Sequence, residues 1–196
     1  MAILVKSATL SGDKNRWGTM WNCFYDAQTL YGRDFILDVA AEPQTTKTRR
    51  YYTSAEWFDR CRVEGDFQFS LLDDLVGFDG LQCDWEPHWW CNPPFDQKAA
   101  FIAKAIEEAR KGNPGMMLLP YEPLTKWWRS GVEGHASAIY EPDGRYNFFE
   151  PDGKTGKSGV NFGCVFVLFT PGYFPHPQRI RFERGIFQQK DKDFAA

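Results

Sequence analysis

One passage near the middle of the chain limits what it can fold into. Glu86-Pro87-His88-Trp89-Trp90-Cys91 reads as a short buried strand, Asn92-Pro93-Pro94-Phe95 as a stiff turn, and Asp96 to Arg110 as a helix. Two adjacent prolines each hold φ near about −65° and remove two backbone donors, so the turn presents carbonyl oxygens and few N–H groups. An asparagine oxygen beside such carbonyls can accept hydrogen bonds from a planar amino group, while the aromatic that follows stacks on the ring bearing it. A strand-to-helix turn in an open α/β sheet lies at the carboxyl end of a strand, where ligands bind.

The flanking pattern extends the same architecture. Phe101, Ile102, Ala105, Ile106 and Ala109 form one apolar stripe with Lys104, Glu107, Glu108 and Lys111 off it, and Gly112 and Pro114 end the helix. Met20, Phe24, Ala27, Leu30 and Tyr31 recur at helical spacing, with Gly32 placed to close that helix in the left-handed conformation. Phe35 to Ala41, Gly115 to Pro120, Ala136 to Tyr140 and Val165 to Phe169 are short apolar runs of the kind that form buried strands. Strands alternating with helices predict an α/β fold with a mostly parallel sheet. Between 42 and 82 the pattern is weaker. Ser54 to Phe58 could begin a helix, and Phe67 to Leu72 fits helix or strand. Residues 150–160, rich in turn formers, are expected to be a mobile surface loop. The tail, 172–196, contains Arg179-Ile180-Arg181-Phe182, which suits a charged edge strand.

Composition narrows the functional classes. At 196 residues the chain is expected to form one domain. The formal net charge of −3 supplies no global positive field, so contact with nucleic acid has to come from a local basic patch. Aromatic residues make up 17%, a surplus suited to base stacking as well as to core packing. Five cysteines without a C-x-x-C pair suit reduced thiols in a cytosol rather than a disulfide framework. Met1 to Lys6 is too short for the apolar part of a signal peptide, and no segment is long enough to span a membrane. A soluble cytoplasmic protein is expected. Cys83, His88 and Cys91 match no zinc spacing, and no metal is expected.

With these elements in order, the chain resembles the phage DNA adenine-N6 methyltransferase (Dam) family. The shared features are Trp17 near the start, Leu37-Asp38-Val39-Ala40-Ala41 at a strand end, and Asp84-Trp85 shortly before Asn92-Pro93-Pro94-Phe95. Leu118-Leu119-Pro120 and Gly144-Arg145 follow. The resemblance covers roughly residues 17 to 171 and rests on motif order more than on any one motif. Where family members often carry Trp-x-Thr-Pro, this chain has Trp17-Gly18-Thr19-Met20. The resemblance implies a Rossmann-like methyltransferase fold: a seven-stranded sheet with one antiparallel strand, helices on both faces, and S-adenosylmethionine as cofactor.

It also implies roles for residues. Asn92 and Pro93 would accept the two N6 hydrogens of an adenine flipped out of double-stranded DNA, with Pro94 stiffening the turn and Phe95 stacking on the base. Asp38, at a strand end, can accept hydrogen bonds from the cofactor's amino group or ribose, with Ala40 beside it. Asp84 and Trp85, with Asn92, are the expected remainder of the cofactor site. Ala40-Ala41-Glu42-Pro43 stands where a Gly-x-Gly would have strengthened that reading. Arg129, Arg145, Lys154 and Lys157 are the expected DNA contacts. Two other readings remain open at this level: transfer to another planar amino group (cytosine N4, an RNA adenine or a glutamine amide), or an inactive methyltransferase-like module that binds nucleic acid or a protein.

Overall fold

The computed structural model describes residues 15–57, 59, 74–157 and 159–188. The expectations for Met1 to Lys6, for Phe67 to Leu72 and for the end of the tail fall outside these residues. In chain order the elements are β1 (Gly18–Thr19), α1 (Trp21–Tyr31), β2 (Leu37–Asp38), β3 (Arg50–Thr53), β4 (Leu75–Phe78), β5 (Trp89–Cys91) and α2 (Lys98–Arg110). They continue with β6 (Gly115–Pro120), α3 (Lys126–Gly131), β7 (Ala138–Pro142), β8 (Phe148–Phe149), β9 (Gly156–Lys157), β10 (Cys164–Phe169) and β11 (Gln178–Phe182).

Eight of these strands form one sheet in the order β4-β3-β2-β5-β6-β10-β7-β11. Every pairing is parallel except those of β10, which runs antiparallel to both β6 and β7. From β2 the chain winds outward through β3 and β4, then returns to the other side of β2 as β5. The carboxyl ends of β2 and β5 therefore face a topological switch point, where connections leave in opposite directions and open a crevice. The α/β expectation with one antiparallel strand holds, and this is the Rossmann-like methyltransferase fold. The strand count differs from the expected seven because β11 adds a parallel edge beyond β7. Its Arg179 carries charge along that edge, paired with Glu133 at 2.6 Å and Glu141 at 3.3 Å.

The central strands are buried on both faces. Trp89, Cys91, Met117, Leu119, Val165 and Val167 pack into one core with Phe101, Ile102, Ala105 and Ala109 of α2. Trp90, Met116, Leu118 and Phe166 face the other way and meet Cys23, Phe24 and Ala27 of α1. Full burial of each large side chain is worth about 1.5–3 kcal/mol. α1 ends as its sequence predicts: Gly32 has φ 78°, and its N–H donates to the Gln28 carbonyl at 3.0 Å. The helix after the Asn-Pro-Pro-Phe turn starts at Lys98 rather than Asp96, because Pro94 first closes a turn by accepting the Gln97 N–H at 3.1 Å. Buried Asp26 of α1 accepts the Tyr146 hydroxyl at 2.6 Å and the backbone N–H groups of Gly185 and Phe187, which docks the chain after β11.

A second, three-stranded sheet joins β1, β8 and β9 in antiparallel order. Part of the stretch expected to be a structureless loop is thus a hairpin. Asp152 organises its turn by accepting the Lys154 and Thr155 N–H groups at 2.9 and 2.8 Å. Two-residue strands carry no readable period, so this sheet left no signal beyond the turn residues. Among the described residues no helix is long and apolar enough to cross a membrane.

Candidate active site

A cavity of about 540 Å³ lies over the carboxyl ends of β2, β3, β4 and β5. That volume is within the range of about 300–1,000 Å³ typical of small-molecule and cofactor sites. Val39, Ala40 and Ala41 after β2 form one wall, Thr53 and Ser54 after β3 a second, Asp79 and Gly80 after β4 a third, and Asn92 with Pro94 after β5 the fourth. Arg16 and Glu42 close the rim as a two-pronged pair, with N–O distances of 2.6 and 2.9 Å.

The Asp79-Gly80 turn is shaped by close approach. A Cβ on Gly80 would lie 2.1 Å from the Val39 carbonyl oxygen, so only glycine lets this turn tuck beneath the segment after β2. Asp79 takes φ 57°, a left-handed conformation that aspartate tolerates because its side chain bonds locally. Its Oδ1 accepts the Leu81 N–H at 3.1 Å, and its own N–H donates to the Thr53 carbonyl at 2.8 Å. Next to it the Thr53 hydroxyl is buried without a hydrogen-bond partner among the described residues, although Thr53 lines the cavity. A buried, unpaired hydroxyl costs about 1–3 kcal/mol, which a bound polar molecule would offset. Ser54 accepts the Trp57 N–H at 3.1 Å and caps the turn that carries Glu56 to the cavity. These groups fit a nucleoside-bearing cofactor: hydroxyl and carboxylate acceptors in a concave crevice at the switch point.

The turn after β5 leaves a specific pair of acceptors. Pro94 O accepts the Gln97 N–H, and Phe95 O accepts Lys98 Nζ at 2.9 Å. Among the described residues nothing donates to the Pro93 carbonyl or to Asn92 Oδ1. The Asn92 amide nitrogen donates to the Trp17 carbonyl at 3.0 Å. Pro93 is buried, and Asn92 and Phe95 are half-buried. Phe95 sits beside the cavity rather than in its wall, edge-on to Trp17 at 6.3 Å and to Phe162 at 5.2 Å between ring centroids.

The other expected cofactor contacts divide. Ala40 lines the cavity. Asp38 is buried and turned away from it, accepting the Lys47 N–H at 3.1 Å and the Ala40 N–H at 3.4 Å. Burial pushes its carboxyl up to about 6, against those two hydrogen bonds and the Lys47 charge. Here it braces the segment between β2 and β3. Lys47 itself is buried, with Nζ donating to the Thr45 carbonyl at 2.6 Å and lying 4.6 Å from the Trp21 ring centroid, and burial lowers its amine to about 8. Asp84 and Trp85 differ more from expectation: both precede β5 and neither lines the cavity, Asp84 lying towards the opposite edge of the sheet and Trp85 behind the Gly80 turn. Asp84 is 91% exposed and meets Lys111 at 3.3 Å. Trp85 is buried, donating its indole N–H to the Gly80 carbonyl at 2.6 Å and packing on Trp89 and Phe101. The spacing to Asn92 gave no way to tell which end of the strand an upstream acid reaches.

Of the four basic residues expected to contact DNA, Lys157 lies beside Trp17, which packs on the Asn-Pro-Pro-Phe turn. It pairs with Glu150 at 3.1 Å and lies 5.7 Å from the centroid of the Trp17 ring. Lys154 is exposed in the β8–β9 turn, and Arg145 is exposed after β7, with a guanidinium nitrogen 3.4 Å from the Val160 carbonyl. Arg129 is exposed on α3, away from these three in the chain. The cavity groups missed from sequence include Arg16, Glu42, Thr53, Ser54, Glu56 and Asp79. Of these only Asp79-Gly80 had a signal, an acid and a glycine closing the apolar run Leu75 to Phe78.

A crevice at the switch point of a doubly wound sheet, with an Asn-Pro-Pro-Phe turn on its rim, places the protein among the Rossmann-like methyltransferases. The family model described as DNA N-6-adenine-methyltransferase (Dam) matches residues 77–193, and the chain belongs to that family. The DNA N-6-adenine-methyltransferase of Haemophilus phage HP1 is 25% identical over 171 residues, covering 86% of each chain. That of Escherichia phage T1 is 32% identical over 97 residues, 41% of this chain and 40% of its own. Among solved structures, a candidate class I S-adenosylmethionine-dependent methyltransferase from Listeria monocytogenes aligns over 92% of this chain and 71% of its own, with TM-score 0.48 and 11% identity. A candidate RNA methyltransferase from Pyrococcus horikoshii aligns over 75% and 79%, with TM-score 0.45 and 11% identity.

Proposed function

We propose that the protein transfers a methyl group from S-adenosylmethionine to N6 of adenine in double-stranded DNA, in the cytoplasm of a bacterium carrying the phage or prophage. The observation that carries this reading is the pair of acceptors left open after β5, Asn92 Oδ1 and the Pro93 carbonyl, beside a cofactor-sized cavity in a chain of this family.

The N6 lone pair of adenine is delocalised into the ring, so the amino group is a poor nucleophile. Two acceptors, one on each N6 hydrogen, hold the nitrogen towards tetrahedral geometry, aim its lone pair and stabilise the positive charge that develops on it. The cofactor, when bound, supplies an electrophilic methyl on a sulfonium. No strong base is needed before methylation, because the proton becomes acidic only once nitrogen carries the new methyl. In a duplex the amino group is paired, so the adenine has to leave the stack to be reached. Phe95 is the stacking partner for that base, a contact worth about 1–3 kcal/mol. In this reading Asp79, Ser54, Glu56 and the Thr53 hydroxyl hold the cofactor, with Ala40 and Asn92 completing the crevice. Lys157, Lys154 and Arg145 contact DNA phosphates, and Arg129 extends that contact from α3.

The test is transfer of labelled methyl to duplex DNA, followed by digestion and identification of the modified base. N6-methyladenine is the expected product. N4-methylcytosine, or labelling of RNA or protein in place of DNA, would overturn the assignment.

A further inference from the structure

Asn92 carries one donor group and one acceptor, and the surroundings decide which faces outward. The Trp17 carbonyl lies 3.0 Å from its amide nitrogen, and a carbonyl oxygen can only accept. The NH2 group must therefore face Trp17, which leaves Oδ1 for the substrate. That carbonyl is held firmly. Trp17 is 7% exposed, its ring between Phe95 and Phe148. The next residue, Gly18, pairs with Phe149 and lies so close to Thr45 that a Cβ would stand 2.8 Å from the threonine Cβ.

We infer that the Trp17 carbonyl is a positioning group for the methyl-transfer site: it fixes the Asn92 amide so that Oδ1 alone meets the substrate amino group, and it excludes an ionised side chain at this position. The inference rests on the proposed adenine-N6 reading. An aspartate at 92 would set a carboxylate oxygen against the Trp17 oxygen, which repels it and favours the protonated acid. The neutral acid has the shape of the amide: its O–H donates to Trp17 and its C=O accepts from the substrate.

The experiment is a pH series of methyl-transfer rates for the wild type, Asn92→Asp and Asn92→Ala, each variant divided by the wild type at the same pH. The other titratable and charged groups around the turn act alike on both proteins and are divided out in that ratio. They are the Arg16–Glu42 pair, Lys157 over the Trp17 ring, Lys98 on the Phe95 carbonyl, Asp38 and Cys91 behind the turn, and Glu56, Asp79 and Asp96 around the cavity. The Asn92→Asp ratio should rise about tenfold for each unit by which pH falls, until the acid is protonated, while the Asn92→Ala ratio stays flat. A flat Asn92→Asp ratio, at either the wild-type or the alanine level, overturns the inference. A second measurement needs neither activity nor the aspartate variant. In the amide spectrum of the wild type, the Asn92 NH2 signal, identified by its loss in Asn92→Ala, should show one hydrogen shifted downfield and protected from exchange. Two hydrogens at ordinary amide positions, both exchanging rapidly, would refute it. A wild type that transfers no methyl to DNA defeats the functional reading, while the amide spectrum still decides this one.

Discussion

The two ends of the parallel strands are both rich in charge, yet they are built in opposite ways. At the amino ends Arg50 forks onto Glu86, at 2.6 Å through one nitrogen, and Lys111 meets Glu107 at 2.7 Å, Glu108 at 3.0 Å and Asp84 at 3.3 Å. Those charges are matched with one another, the buried Glu108 included. At the carboxyl ends the Thr53 hydroxyl, Asn92 Oδ1 and the Pro93 carbonyl have no partner among the described residues, and they surround or adjoin a cavity. One edge satisfies its polar groups internally, and the other holds acceptors open for something that is not protein. A buried, unmatched hydroxyl such as that of Thr53 costs stability, and a ligand bound in the cavity it lines would offset that cost.

Four substitutions sharpen or break the contrast. The largest effect should come from Asn92→Ala, which removes one of the two open acceptors. By comparison with the loss of one stabilising hydrogen bond in other active sites, the turnover rate should fall about 10²–10³-fold. Equal labelling of DNA by wild type and variant would remove Asn92 from the chemistry. Next is Asp79→Ala at the cavity wall. Loss of a hydrogen bond to a charged group, about 1.5–3 kcal/mol, should weaken S-adenosylmethionine binding roughly 10–150-fold by calorimetry. An unchanged affinity would return the cofactor site to residues expected from sequence.

Asp38→Asn tests the acid that lies at the same edge but faces inward. Its folded carboxyl, at about 6, stands above the unfolded value of about 3.9. Between those values the folded state binds more protons than the unfolded, so this group makes wild-type stability fall as pH rises from about 4 to about 6. Denaturant titrations across that window should show the wild type losing about 2 kcal/mol relative to Asp38→Asn. Parallel curves for the two proteins would mean that the carboxyl is not desolvated. The smallest effect belongs to Asp84→Ala at the matched edge. Its exposed pairing with Lys111 is screened by solvent, so the denaturation midpoint should scarcely move and cofactor binding should be unaltered. A tenfold loss of S-adenosylmethionine affinity there would undo the contrast between the edges.

Much of this was legible in the sequence because it is local. The strand, proline turn and amphipathic helix from Trp89 to Arg110 need only neighbours in the chain to be read, as does the Gly32 cap of α1. The helix boundary moved by two residues because Pro94 claimed the Gln97 N–H before the helical ladder began. The alternating charge of Arg179 to Phe182 suits an edge strand, and its parallel pairing to β7 makes β11 the eighth strand of the sheet. The β1-β8-β9 sheet could not be read, since pairs of residues show no alternation and their partners lie far away in sequence.

The roles of the acids show the limit most clearly. Asp38, Asp79 and Asp84 each stand near a strand end, and sequence alone favoured the first and the last. By itself the sequence determined the chemistry available: an asparagine and prolines that leave carbonyl acceptors at the end of a buried strand, within a parallel α/β architecture. Those follow from dihedral restriction and hydrophobic periodicity, which act over a few residues. Only the tertiary structure decided which acid reaches the cavity, which is turned inward and which lies at the far edge, and that the Trp17 carbonyl meets the Asn92 amide across 75 positions of chain. Those are matters of strand direction and long-range approach, which follow from how the whole core closes.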